Sequence, residues 1–140
     1  MALSARQLKV GETHAEQVVD NLSRTQIVQY AGASGDYNPL HTDEAYTTKV
    51  AGYPSVFAHG MLTMGITGVM LTNYVGDGRL TKFGVRFTQQ VWPGDSLTTK
   101  TTVEALREEG GQHFVDLQVS TVNQHGEEVV SGYASARIDP

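Results

Sequence analysis

The chain has 140 residues, a length that fits one domain. Ten basic against fifteen acidic residues give a net charge of -5 with no Lys/Arg cluster, a poor match to a nucleic-acid backbone. The absence of cysteine excludes a disulfide scaffold, a thiolate metal site and a cysteine nucleophile.

The N-terminus, MALSARQLKVGETH, lacks the apolar core of a signal peptide, which predicts a cytoplasmic protein. Gln17-Val18-Val19 suggests an edge strand. Ser23 followed by Gln26 has capping-box spacing, and Arg24 to Ala33 continues as a helix with Ile27, Val28 and Ala31 on its apolar stripe. Asn38-Pro39 interrupts helix, because proline disfavours helical backbone in the residue before it. Thr42 is the expected cap of a second short helix, with Asp43 and Glu44 favourable to its dipole.

From Val50 to Gly76 no Asp, Glu, Lys or Arg occurs. Gly52, Pro54, Ser55, His59, Gly60, Gly65, Gly68 and Asn73 break this window, so it holds no run of about 18 apolar residues and is not a membrane span. Gly52 to Ser55 reads as a loop, and Met61 to Val75 as a core helix apolar on most of its circumference. Gly65 and Gly68 within it suggest close approach of a backbone or ligand.

Beyond Gly76-Asp77-Gly78 the period becomes two. Phe83, Val85, Phe87 and Val91 mark one strand, and Trp92-Pro93-Gly94-Asp95 a turn. Leu97 to Leu106 is a second strand, ended by Arg107 to Gly111. Val115, Leu117 and Val119 mark a third, Gln124 to Glu127 a hairpin turn, and Val130, Ala134, Ala136 and Ile138 a fourth. An apolar helix followed by an antiparallel meander predicts an α+β domain over 1–140 in which the sheet wraps the helix.

Functional side chains are densest in Ser34-Gly35-Asp36-Tyr37-Asn38-Pro39-Leu40-His41. On an unbroken helix Asp36 and His41 would diverge, but Asn38-Pro39 folds the segment back. The segment is either a proton-transfer pair in an apolar cleft or an Asx-type turn with His41 merely flanking a helix. His59-Gly60-Met61 is likewise either an oxyanion hole at a helix N-terminus or an ordinary loop-to-helix junction with a satisfied buried histidine. His14, His113 and His125 are isolated, so no metal-ligand spacing emerges. Arg79, Lys82 and Arg86 are three charges on an exposed strand face, and no phosphate-loop or nucleophile-elbow motif occurs.

Tyr30 to His41 (YAGASGDYNPLH) resembles the signature of the MaoC-like (R)-specific enoyl-CoA hydratases and (3R)-hydroxyacyl-ACP dehydratases. Ala58-His59-Gly60-Met61-Leu62, Val85-Arg86-Phe87 and Val91 to Asp95 are similar to further parts of that family's pattern. The chain looks closest to the catalytic subunit of heterodimeric (3R)-hydroxyacyl-ACP dehydratases. The resemblance implies a hot-dog fold, an antiparallel sheet wrapped round a long central helix, working as a homodimer or with another hot-dog subunit.

It also implies that Asp36 and His41 activate water for addition to a trans-2-enoyl thioester, that the Gly60 amide binds the thioester oxygen, and that Asn38 shapes the catalytic loop. Many members carry a serine in the central helix where this chain has glycine. Either Thr63 or Thr67 supplies an auxiliary hydroxyl, or that assistance is absent or comes from a partner subunit, the glycines instead leaving room for a bulky or long acyl chain. The substrate would be a CoA or acyl-carrier pantetheine thioester, with acyl carrier protein a candidate partner and no cofactor, metal, nucleic acid or membrane involved. A hot-dog thioesterase and a non-catalytic acyl-binding subunit are the competing readings.

Overall fold

Nine elements follow one another in the computed structural model, which describes residues 3–140. They are β1 (Thr13–Val19), α1 (Arg24–Ser34), α2 (Pro39–Thr42), α3 (Glu44–Lys49), α4 (Gly60–Val75), β2 (Leu80–Phe87), β3 (Leu97–Glu109), β4 (Gln112–Val122) and β5 (Glu128–Ile138). The sheet is antiparallel throughout, in the order β1-β3-β4-β5-β2.

Local chemistry sets most of these boundaries. The Ser23 side chain accepts from the Gln26 amide to open α1, as its spacing predicted, and Gly35 closes the helix with left-handed backbone at φ 75°. Gly110 and Gly111, both at positive φ, make the tight turn between β3 and β4. This pair suits a hairpin whose twist must match the flanking strands. The β3 strand therefore continues to Glu109, and Arg107 lies inside it rather than in a terminating segment.

Three further expectations change. The cap of α3 is Asp43, whose side chain accepts from the Tyr46 amide, and not Thr42, which lies within α2. Only β3, β4 and β5 form a meander; β2 leaves its neighbour in sequence and pairs with β5 at the opposite end of the sheet from β1. The Trp92–Asp95 turn forms, with the Asp95 carboxylate accepting from the Trp92 amide, but it carries the chain across the sheet. Backbone bonds between Leu22, Gly94 and Asp95 hold this crossover in place, and Val91 lies outside β2.

The third change concerns α4. Leu62, Thr63, Thr67, Met70, Leu71 and Val75 are buried, and the helix packs against β1, β2 and β5. At one end Met70, Leu71 and Val75 meet Val103, Val115, Leu117, Val119 and Ala134. At the other, Leu62 meets Ile27, Ala58, Val91, Leu97, Val129 and Val130. Met61 and Val69, however, are 55% and 60% exposed, and with Gly65 they form an open stripe at intervals of four residues. A single sheet covers one side of a helix, so the charge-free sequence buries this helix on its sheet side only.

The two helix glycines differ accordingly. A Cβ on Gly68 would meet the Phe83 ring at 3.3 Å, so the close neighbour there is a β2 side chain; Gly65 has nothing within 4 Å. Among the described residues, no helix is long and apolar enough to cross a membrane.

Candidate active site

Three successive side-chain-to-backbone bonds shape the segment after α1. Ser34 Oγ accepts from the Asp36 amide at 3.1 Å, Asp36 Oδ1 from the Asn38 amide at 3.2 Å, and Asn38 Oδ1 from the Leu40 amide at 3.0 Å. Asn38 thereby caps α2, in which Pro39 takes the first-turn position that needs no amide donor. The Asx turn and the convergence of Asp36 with His41 were set against each other by the sequence. The structure contains both, because the turn is the device that brings the two side chains together.

His41 is buried in α2, and its Nδ1 lies 2.6 Å from the Phe57 carbonyl oxygen. A carbonyl can only accept, so Nδ1 carries the proton and Nε2 keeps a lone pair, the form required of a general base. Burial is the main influence pushing the His41 pKa below 6.5, helped by His59, while the Phe57 carbonyl and Asp36 act in the other direction. Asp36 itself is exposed.

His59 joins this pair. Its ring stacks on His41 with centroids 3.8 Å apart and planes 24° apart, and Tyr30 meets it edge-on at 4.8 Å. Its Nε2 lies 3.0 Å from the Asp36 backbone oxygen. Sequence reasoning weighed His59 only as a loop residue before α4, since a partner that is backbone, 23 positions away, leaves no signal in side-chain spacing.

Asp36, His41 and His59 present ligand-type atoms all within 4.8 Å of one another, so a metal must be considered. An ion lies in the plane of each imidazole that binds it. Two rings stacked at 3.8 Å and only 24° apart have planes that do not meet close to both, so the pair is built for stacking and not for joint ligation.

Gly60 begins α4, directly after His59, and the first-turn amides of a helix have no intrahelical acceptor. A groove of about 330 Å³ opens beside it, lined by Phe57, Gly60, Thr63, Phe87, Val129 and Val130 among others. A Cβ on Gly60 would lie 3.2 Å from the Phe87 ring, so glycine is what admits that ring against the helix start. The two threonines separate. Thr63 lines the groove, whereas Thr67 Oγ1 is bonded at 2.8 Å to Thr121 Oγ1, which is bonded in turn to Thr99 at 2.8 Å inside the core.

The remaining histidines and basic residues lie elsewhere. His14 is in β1, stacked on Tyr74 at 4.2 Å; His113 is in β4 and His125 in the β4–β5 turn. Arg79 pairs with Asp139 at 2.9 Å, and Lys82 sits over the Tyr133 ring.

The MaoC like domain matches residues 6–125. The 3-hydroxyacyl-thioester dehydratase Y of Mycobacterium tuberculosis is 35% identical over 91 residues, covering 63% of this chain and 31% of that protein. The peroxisomal enoyl-CoA hydratase 2 of Arabidopsis thaliana is 34% identical over 107 residues, covering 74% and 32% respectively. The chain thus spans about a third of the length of these two relatives. Among solved structures, the unliganded R-hydratase PhaJ1 of Pseudomonas aeruginosa superposes with a TM-score of 0.85 at 26% identity, covering 99% of this chain and 86% of that one. The hot-dog architecture that the sequence resemblance implied is the one observed.

Proposed function

The chain belongs to the MaoC-like domain family, and from that premise we propose that it is a hydro-lyase that reversibly hydrates trans-2-enoyl thioesters, the reverse direction dehydrating (3R)-3-hydroxyacyl thioesters. The observation that carries this reading is the meeting of the Asp36 carboxylate with His41, whose Nε2 lone pair is free, close to the start of α4. An acyl thioester lying in the groove beside Gly60 would bring its reacting carbons to that pair.

Water held between Asp36 and His41 gives a proton to His41 Nε2 as its oxygen bonds to C3. The C2=C3 electron pair moves toward the thioester oxygen, where the Gly60 amide and the positive end of α4 hold the developing negative charge. C2 then takes a proton back from the Asp36–His41 pair, so hydrogen and charge balance over the cycle. Asn38 keeps Asp36 in register by capping α2. Thr63, in the groove, is the better placed of the two threonines to serve as an auxiliary hydroxyl.

The acyl group is carried by CoA or by acyl carrier protein, and residues 1–140 act as one unit. A second hot-dog subunit, identical or homologous, covers the Met61–Gly65–Val69 stripe and the adjoining groove of about 320 Å³ lined by Val18, Ile66 and Met70. The exposure of Met61 and Val69 on a helix otherwise packed on the sheet is the support for that partner.

Mixing the purified chain with crotonyl-CoA separates the readings. Loss of enoyl absorbance without release of free thiol is expected; thiol release would show a thioesterase, and neither change with CoA or carrier-protein substrates would show a binding subunit. Native mass of the same preparation reports whether the chain pairs with itself.

A further inference from the structure

His59 has a feature that the reaction as described above does not use. Its Nδ1 is a buried side-chain atom with no hydrogen-bond partner among the described residues, in a ring only 2% exposed. Its other nitrogen, Nε2, faces the backbone oxygen of Asp36, which can only accept, so Nε2 carries the proton. A second proton on Nδ1 would create a buried N–H with no acceptor. The Nε2–H tautomer is therefore the one that satisfies this geometry.

We infer that His59 is a positioning residue for Asp36 and His41: its Nε2–H anchors the backbone of the Asp36 turn while its ring backs the face of the His41 imidazole. The residues packed against it come from three places: Tyr30 from α1, Asp36 from the turn and His41 from α2. Among the described residues, the Asp36 turn is otherwise held at this point by local bonds, its amide donating to Ser34 and its carboxylate accepting from Asn38, and it is exposed. The His59 bond is its tie to the start of α4, and so it relates the carboxylate to Gly60.

The inference rests on the hydratase reading for its kinetic consequence, but the tautomer can be read without any activity. Two variants separate the roles of donor and ring. His59→Gln keeps an N–H close to the position of Nε2, and His59→Phe keeps a ring and removes the donor. Loss of one such anchoring bond predicts a fall in kcat of about tenfold for His59→Phe, with KM within about twofold. His59→Gln should recover kcat to within about threefold of the parent chain, as a rescued donor would.

In parallel, long-range proton–nitrogen NMR of the parent chain at neutral pH should show His59 protonated at Nε2 alone. Equal kcat for His59→Phe and the parent would overturn the inference, as would a His59→Gln variant as slow as His59→Phe. So would a spectrum showing His59 protonated at Nδ1. If both variants fail to fold, the spectrum decides. A parent chain inactive on every enoyl thioester would remove the hydratase reading while leaving the spectrum to judge His59.

Discussion

The molecule contains two clusters of partly buried polar side chains that treat their hydrogen-bonding capacity in opposite ways. On β3, β4 and β5, Arg107 gives Nε and Nη2 to the two Asp116 oxygens at 2.7 and 3.0 Å and Nη1 to Glu109 at 2.6 Å, while Ser135 Oγ donates to Asp116 at 2.7 Å. Each strong group there has its partner. Around α2 and the start of α4, His41 Nε2 keeps an unshared pair, His59 Nδ1 has no partner, and the Asp36 carboxylate is open to solvent on one side. A satisfied cluster stabilises, because nothing in it gains from a ligand. Hydrogen-bonding capacity left unused near the start of α4 is capacity that a ligand can take up.

The sharpest way to break that contrast is to disable the open cluster without unfolding it. Asp36→Asn retains the side-chain oxygen that accepts from the Asn38 amide, so the turn should survive while the carboxylate is lost. We expect hydration to fall by about 10³-fold, the scale of a lost acid–base group, with an unchanged circular dichroism spectrum. His41→Ala should lose as much activity, with some stability lost as well because the ring is buried and stacked. Turnover close to that of the parent in Asp36→Asn would sink the assignment of the open cluster as the site.

A smaller effect, but one with a definite sign, is pH. The base must be neutral, and burial depresses the His41 pKa below 6.5, so the acidic limb of kcat/KM is expected below pH 6.5. The same depression links to stability. An unfolded chain takes up a proton near pH 6.5 that the native chain resists, so this stabilising contribution is complete above 6.5 and is lost as pH falls toward the native value. An activity limb above pH 6.5 would show that another group controls the rate.

How much of this contrast was legible beforehand differs between the two clusters. The Asp36–His41 segment announced itself because Asp, Asn, Pro and His have strong local preferences that act over two or three residues, as the bonds from Asp36 to Asn38 and from Asn38 to Leu40 show. The partnership of Arg107 and Asp116 was not legible, since it depends on β3–β4 register and on the turn falling at Gly110-Gly111. Likewise, a period of two reveals that β2 is a strand, but neither that its neighbour is β5 nor that Phe87, on the expected apolar face, is exposed. Helix α4 was recognised, but hydropathy alone could not separate its sheet-facing residues from the exposed Met61 and Val69.

The least dramatic test concerns the satisfied cluster, and it is the control on which the comparison depends. Asp116 accepts from Arg107 and Ser135, and the Arg107 bond is the main reason that its pKa lies below the usual 3.8. A carboxylate whose native pKa is depressed contributes stability above its unfolded value and loses that contribution as pH falls through the native one. Asp116→Asn should therefore lower the thermal midpoint at pH 7 by about 3 °C, a small effect appropriate to a partly exposed pair. The difference from the parent should shrink as pH drops below 3.8, where the parent's own carboxylate becomes protonated. Hydration by Asp116→Asn should remain within about twofold of the parent, because no unshared valence at this cluster takes part in the reaction. A loss of activity comparable to that of Asp36→Asn, in a variant that still folds, would mean that satisfied and unsatisfied clusters cannot be told apart by function in this protein.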